Sequence, residues 1–84
     1  MSVQVFDTHV RTTEGGYLHF DVLIDSNDPA LAARYARDWL ASRGVAQADI
    51  AQSRCQFCHS QPAHPQVAAA ISRQGYHIIV LKDL

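Results

Sequence analysis

Hydrophobic and polar positions alternate along the first part of the chain. From Val3 to Thr12, Phe6, Thr8 and Val10 share one parity, and Asp7, His9 and Arg11 share the other. From Tyr17 to Ile24 the alternation is cleaner: Leu18, Phe20, Val22 and Ile24 face one way, and Tyr17, His19, Asp21 and Leu23 face the other. A period of two is the signature of a strand with one covered face. Between the runs lies Glu14-Gly15-Gly16, a turn signal, so the two strands predict a β-hairpin. Centring the loop on Gly15 pairs even positions with even ones and gathers Phe6, Val10, Leu18, Phe20, Val22 and Ile24 on one apolar face. That register sets His9 opposite Asp21 and Arg11 opposite His19.

The period then changes. Asp28 is a natural helix N-cap and Pro29 a natural first helical residue. Leu31, Ala32, Tyr35, Ala36, Trp39 and Leu40 follow at spacings of three and four, which predicts an amphipathic helix with Trp39 and Leu40 in the core. Gly44 reads as its stop. A short strand is expected near Ser53 to Phe57, and a second helix from Pro65 to Gln74, with Val67, Ala68 and Ile71 inward and Gly75 ending it. Tyr76 to Leu81 is a nearly unbroken apolar, β-branched run. It predicts a central strand, or one covered on one face and buried in an oligomer interface.

The order β-β-α-β-α-β predicts an α+β fold: two layers, a four-stranded mixed sheet, and both helices on its apolar face. A right-handed parallel crossover is expected through the second helix. At 84 residues the chain has length for one domain, 1–84. Its seven basic and eight acidic residues give a formal charge of -1, without the basic excess of a phosphate-backbone binder, so no nucleic-acid partner is expected. No run approaches membrane-spanning length and the N-terminus lacks the pattern of an export signal, so no membrane partner is expected and the default compartment is cytoplasmic. Thiols stay reduced there, and no structural disulfide is expected.

Two places carry candidate chemistry. Cys55-Gln56-Phe57-Cys58-His59 is C-x-x-C-H. Covalent haem attachment uses this string, but the only methionine is Met1 and no export signal accompanies it. Dithiol redox chemistry would want a helix N-terminus at the sulfurs, which Pro62 and Pro65 delay. A zinc site would draw on Cys55, Cys58, His59 or His64, with His77 completing it if the last strand lies beside the third. Zinc is thus the candidate cofactor. Cysteines buried as small apolar residues are the plain alternative. The second place is the polar hairpin face of Asp7, His9, His19 and Asp21. Carboxylates beside imidazoles make a general base or two to four ligands for a divalent cation. The plain alternative is a solvated outer face, for which Lys and Glu would be the commoner filler.

The strings Val5-Phe6-Asp7-Thr8-His9-Val10, His19-Phe20-Asp21-Val22-Leu23, Cys55-Gln56-Phe57-Cys58-His59 and Gly75-Tyr76-His77-Ile78-Ile79 together resemble a small bacterial family catalogued as domain of unknown function number twenty twenty-four. The resemblance covers nearly the whole chain. It implies four strands and two helices and no assigned activity, so it carries over no catalytic residue. The function expected is a metal-binding or thiol-redox module built on the C-x-x-C-H cluster. The competing expectations are a non-catalytic interaction or homodimeric module with structural cysteines, and a hydrolase using the Asp/His face.

Overall fold

The structure, a computed structural model, describes residues 1–83. The elements are β1 (Ser2–Thr12), β2 (Tyr17–Ile24), α1 (Pro29–Ser42), β3 (Ile50–Pro62), α2 (Pro65–Gln74) and β4 (His77–Lys82), with a 3-10 turn at Gln47–Asp49. The α+β class and the element order are those expected. The sheet runs β3-β1-β2-β4, and its three strand pairs are all antiparallel.

That topology corrects three expectations. The sheet is antiparallel, not mixed, because β3 and β4 pair with different strands of the hairpin and lie at opposite edges. No parallel crossover forms. The ten residues of α2 extend about 15 Å, enough to carry the chain across a four-stranded sheet whose edges are about 14 Å apart. The apolar run in β4 is an edge strand, not a central one. Ile79, Val80 and Leu81 are 37%, 42% and 55% exposed.

The helices also divide between the faces. Ala32, Ala36 and Leu40 of α1 pack on the even-numbered residues Phe6, Val10, Leu18, Phe20, Val22 and Ile24, with Leu31, Tyr35 and Trp39 at the margin. Phe20 is fully buried, and its ring lies 4.5 Å from that of Trp39. Val67 and Ile71 of α2 pack on Val3, Val5 and Leu23, which are odd-numbered and point the other way. So α1 covers the inner face, and α2 covers only one end of the outer face. Three apolar residues at the open end of an otherwise polar face, Val3, Val5 and Leu23, are the sequence signal for that second cover.

The register is two residues from the expected one. The pairs are Asp7 with Asp21, His9 with His19 and Arg11 with Tyr17. The loop explains the difference. Gly15 N–H donates to Thr12 O at 3.0 Å, closing a tight turn, and Gly15 then adopts φ +88. Thr12 N–H donates to Gly16 O at 2.9 Å and resumes the ladder. This is a three-residue loop with one left-handed glycine at its end, so its centre is Glu14, not Gly15. A shift of two preserves parity, and for that reason the predicted apolar face survives intact.

The helix signals behave as expected. Asp28 Oδ1 accepts from Leu31 N–H at 3.2 Å, and Pro29 opens α1. Gly75 ends α2 at φ +95, where Tyr35, stacked on Tyr76 at 4.7 Å, lies against it. Gly44 is also left-handed, but nothing lies within 4 Å of an added Cβ.

Two stability outcomes are expected. Phe20→Ala leaves a cavity in a small core and should cost on the order of 3–5 kcal/mol in urea unfolding. Gly75→Ala should cost clearly more than Gly44→Ala. Both pay about 1 kcal/mol for the left-handed backbone, and only Gly75→Ala also drives a methyl into the Tyr35 ring. Equal losses at the two glycines would refute the Tyr35 packing.

Candidate metal centre

The odd-numbered residues of β1 and β2 beyond α2 form the open half of the outer face. There the corrected register brings two imidazoles to one carboxylate. His9 Nε2 lies 2.9 Å from Asp7 Oδ2, and His19 Nε2 lies 2.5 Å from Asp7 Oδ1. The two imidazoles are cross-strand partners and stack, with ring centroids 4.0 Å apart and 14° between their planes. On its far side, His9 Nδ1 is hydrogen-bonded to the Tyr17 hydroxyl. Since Asp7 only accepts, both Nε2 atoms carry the hydrogens in these bonds, and a neutral His9 then accepts from Tyr17 at Nδ1.

All three side chains are half-buried. Partial burial pushes the Asp7 carboxyl up, but the hydrogen bonds from His19 and His9, and their charge, outweigh it and hold Asp7 below the ordinary carboxylate range. Asp21 goes the other way. Burial raises it, the charge of Asp7 raises it further, and His19 offsets only part. Two facing carboxylates are thereby differentiated: one is held ionised by imidazoles, the other is pushed toward the protonated form.

Among the described residues, Asp7, His9 and His19 are the only three or more metal-binding side chains whose donor atoms converge, all within 4.8 Å of one another. The expected pairing of His9 with Asp21 is not present. Asp21 instead faces Asp7, outside the converging set. Tyr17 lay on the predicted face, and its role as the partner of His9 becomes legible only once the register is known.

The C-x-x-C-H cluster does not assemble. Both cysteines are free. Cys55 is half-buried opposite Thr8, in a crevice of about 70 Å³ between α1 and β3, and belongs with the inner core. Cys58 is exposed, with its Sγ hydrogen-bonded to His59 Nδ1. His64 is the exposed residue preceding α2, and His77 lies on β4, paired with Leu23 at the opposite edge from β3. The condition set for His77 as a zinc ligand, β4 beside β3, is not met. A concavity of about 450 Å³ lies elsewhere, between the hairpin loop and the α1–β3 connection. Its lining of Thr12, Thr13, Glu14, Gly16, Gly44, Val45 and Asp49 carries no imidazole or thiol, so the convergent chemistry is not there.

Comparison with known proteins agrees with this architecture. The family described as domain of unknown function (DUF2024) matches residues 1–81. A structural-genomics protein of Nitrosomonas europaea, solved by NMR, is 36% identical over 98% of this chain and 96% of its own, with a TM-score of 0.83. No curated protein matches the chain. No helix among the described residues is long and apolar enough to cross a membrane.

The Cys55 thiol should mark the pH dependence of stability. Burial pushes the Cys55 thiol up; the Thr8 hydroxyl opposes this and the charge of Asp7 adds to it. A raised thiol stabilises the fold fully below its ordinary value of 9.0, and that contribution is lost as pH rises toward the folded value. Above that ordinary value the urea midpoint of the parent protein should therefore fall more steeply with pH than that of Cys55→Ala. Parallel curves would show that burial does not raise the Cys55 thiol.

Proposed function

The chain belongs to the DUF2024 family, and we propose that it is a metal-binding domain in which Asp7, His9 and His19 hold a divalent first-row transition ion. One observation carries this reading: three donor atoms of two chemical types meet on the open half of a rigid two-stranded face. A set of two imidazoles and one carboxylate suits zinc, the cofactor expected from the sequence, and equally iron(II), cobalt(II) or nickel(II). Bonds of about 2.0–2.1 Å put neighbouring ligand atoms about 3–4 Å apart. Small rotations of side chains already in mutual contact reach that spacing.

The hydrogen-bond partner of His9 supports the same reading. A metal-binding imidazole needs its other nitrogen held, and Tyr17 holds Nδ1 of His9. On metal binding, Nε2 gives up its hydrogen and Nδ1 acquires one, and the Tyr17 oxygen accepts it. The phenol can serve in both states because it is donor and acceptor. Three protein ligands leave coordination positions for water or a substrate, as catalytic sites do and closed structural sites do not. Asp21, the cross-strand partner of Asp7, supplies a second carboxylate on the same face.

Isothermal titration of metal-stripped protein with zinc, and absorption spectra with cobalt(II), test the proposal. One equivalent should bind. Asp7→Asn, His9→Gln and His19→Gln should each abolish or severely weaken binding, and Tyr17→Phe should weaken it by about 10–100-fold. Binding unchanged in His19→Gln but lost in Cys58→Ser would overturn this assignment and return the metal to the cysteines.

A further inference from the structure

We propose that Cys58 is a nucleophilic thiol, served by His59 as base and Gln61 as the group that orients the base, and that it exchanges with low-molecular-weight disulfides. The inference is independent of the metal centre.

In a regular strand, residues 58 and 59 would point to opposite faces. Here β3 is irregular. Val5 pairs with His59 and Phe6 with Phe57, so Cys58 is the extra residue of a β-bulge. Bulges re-aim side chains, and this one sets neighbouring residues side by side: His59 Nδ1 lies 3.2 Å from Cys58 Sγ. Two residues further along, Gln61 Oε1 lies 2.8 Å from His59 Nε2. An amide oxygen only accepts, so Nε2 carries a hydrogen and the Nδ1 lone pair is turned to the thiol. Nucleophile, base and orienting group stand in line, which is the arrangement that activates a thiol or hydroxyl.

Location supports the assignment. β3 is an edge strand, and Cys58, His59 and the neighbouring Phe57 are all exposed, so a reagent can approach. The surroundings disfavour the other uses of a thiol. Among the described residues no third metal donor converges on this pair, and Cys55 is not bonded to Cys58.

The exchange balances without any further reactant. The Cys58 thiol gives its proton to His59 Nδ1, and the thiolate attacks one sulfur of a small disulfide R–S–S–R. That S–S bond breaks as the Cys58–S–S–R bond forms. The departing sulfur leaves with the electron pair and takes the proton back from His59. The protein sulfur is oxidised to a mixed disulfide, and half of the reagent is reduced to a thiol.

The test uses the Cys55→Ser chain, so that one thiol remains, and follows the absorbance released from dithiodipyridine. In the folded protein Cys58 should react about tenfold or more faster than in the same chain unfolded in urea. His59→Gln should remove about that factor. Gln61→Leu should slow the reaction several-fold, and Gln61→Glu, which keeps an accepting oxygen, should restore it. Mass spectrometry after exposure to glutathione disulfide should find one added glutathionyl group on Cys58. The proposal is overturned if His59→Gln, folded by circular dichroism, reacts within about threefold of its parent, or if the folded and unfolded rates coincide.

Discussion

Thr12 closes the hairpin from both sides, and the placement of every functional side chain on β1 and β2 depends on how it does so. Its carbonyl accepts from Gly15 N–H, its own N–H donates to Gly16 O, and its hydroxyl accepts from Gly16 N–H at 2.8 Å. Together these set β1 against β2 so that Asp7 meets Asp21 and His9 meets His19. Moving the pairing by two would leave the core untouched, because every inward residue would still point inward. It would dismantle the outer face, since His19 would lose its position beside His9. The turn therefore matters more to the candidate site than to the fold.

The two faces of the hairpin do different work. The inner face is apolar from Phe6 to Ile24 and is closed by the stripe of α1, with Thr8 as its single buried polar side chain. The Thr8 hydroxyl donates to Phe6 O at 3.2 Å, so its burial leaves no orphan group. The outer face is apolar only where α2 covers it, at Val3, Val5 and Leu23. Beyond that end the polar cluster sits half in water. It can carry an ionised carboxylate there without the desolvation cost of a full core position. A sheet covered on one side and half covered on the other is what allows a small domain to keep both a closed core and an open charged strip.

Much of this was legible in the residues. Period-two alternation identified β2 to its ends, Tyr17–Ile24, and the Asp28-Pro29 and Pro65…Gly75 signals bounded both helices closely. Local chemistry dominates at those places, in caps, prolines and side-chain period. Three things were hidden because they depend on longer-range choices. The loop centre turned on which of two adjacent glycines takes positive φ, and composition does not distinguish Gly15 from Gly16. The length of β3, Ile50–Pro62, was obscured because an edge strand exposed along most of its residues needs no alternation. The run from Ile78 to Leu81 read as central because apolar content usually marks cover on both faces, whereas β4 lies at an edge. At the candidate sites, parity alone gathered Asp7, His9, His19 and Asp21. Choosing the three that converge required the register. Likewise, Cys58 and His59 were adjacent in sequence, but only a bulge could bring adjacent strand residues together.

Edge and interior also divide the reactive groups by kind. The hard donor set lies on the two central strands, where each backbone is fixed by a neighbour on both sides and the imidazoles can be held stacked. The exposed thiol lies on β3, where one side of the strand is unpaired and a bulge costs only one broken ladder step. Geometry that must be exact for coordination is placed where the sheet is stiffest, and a nucleophile that must be reached is placed at its rim.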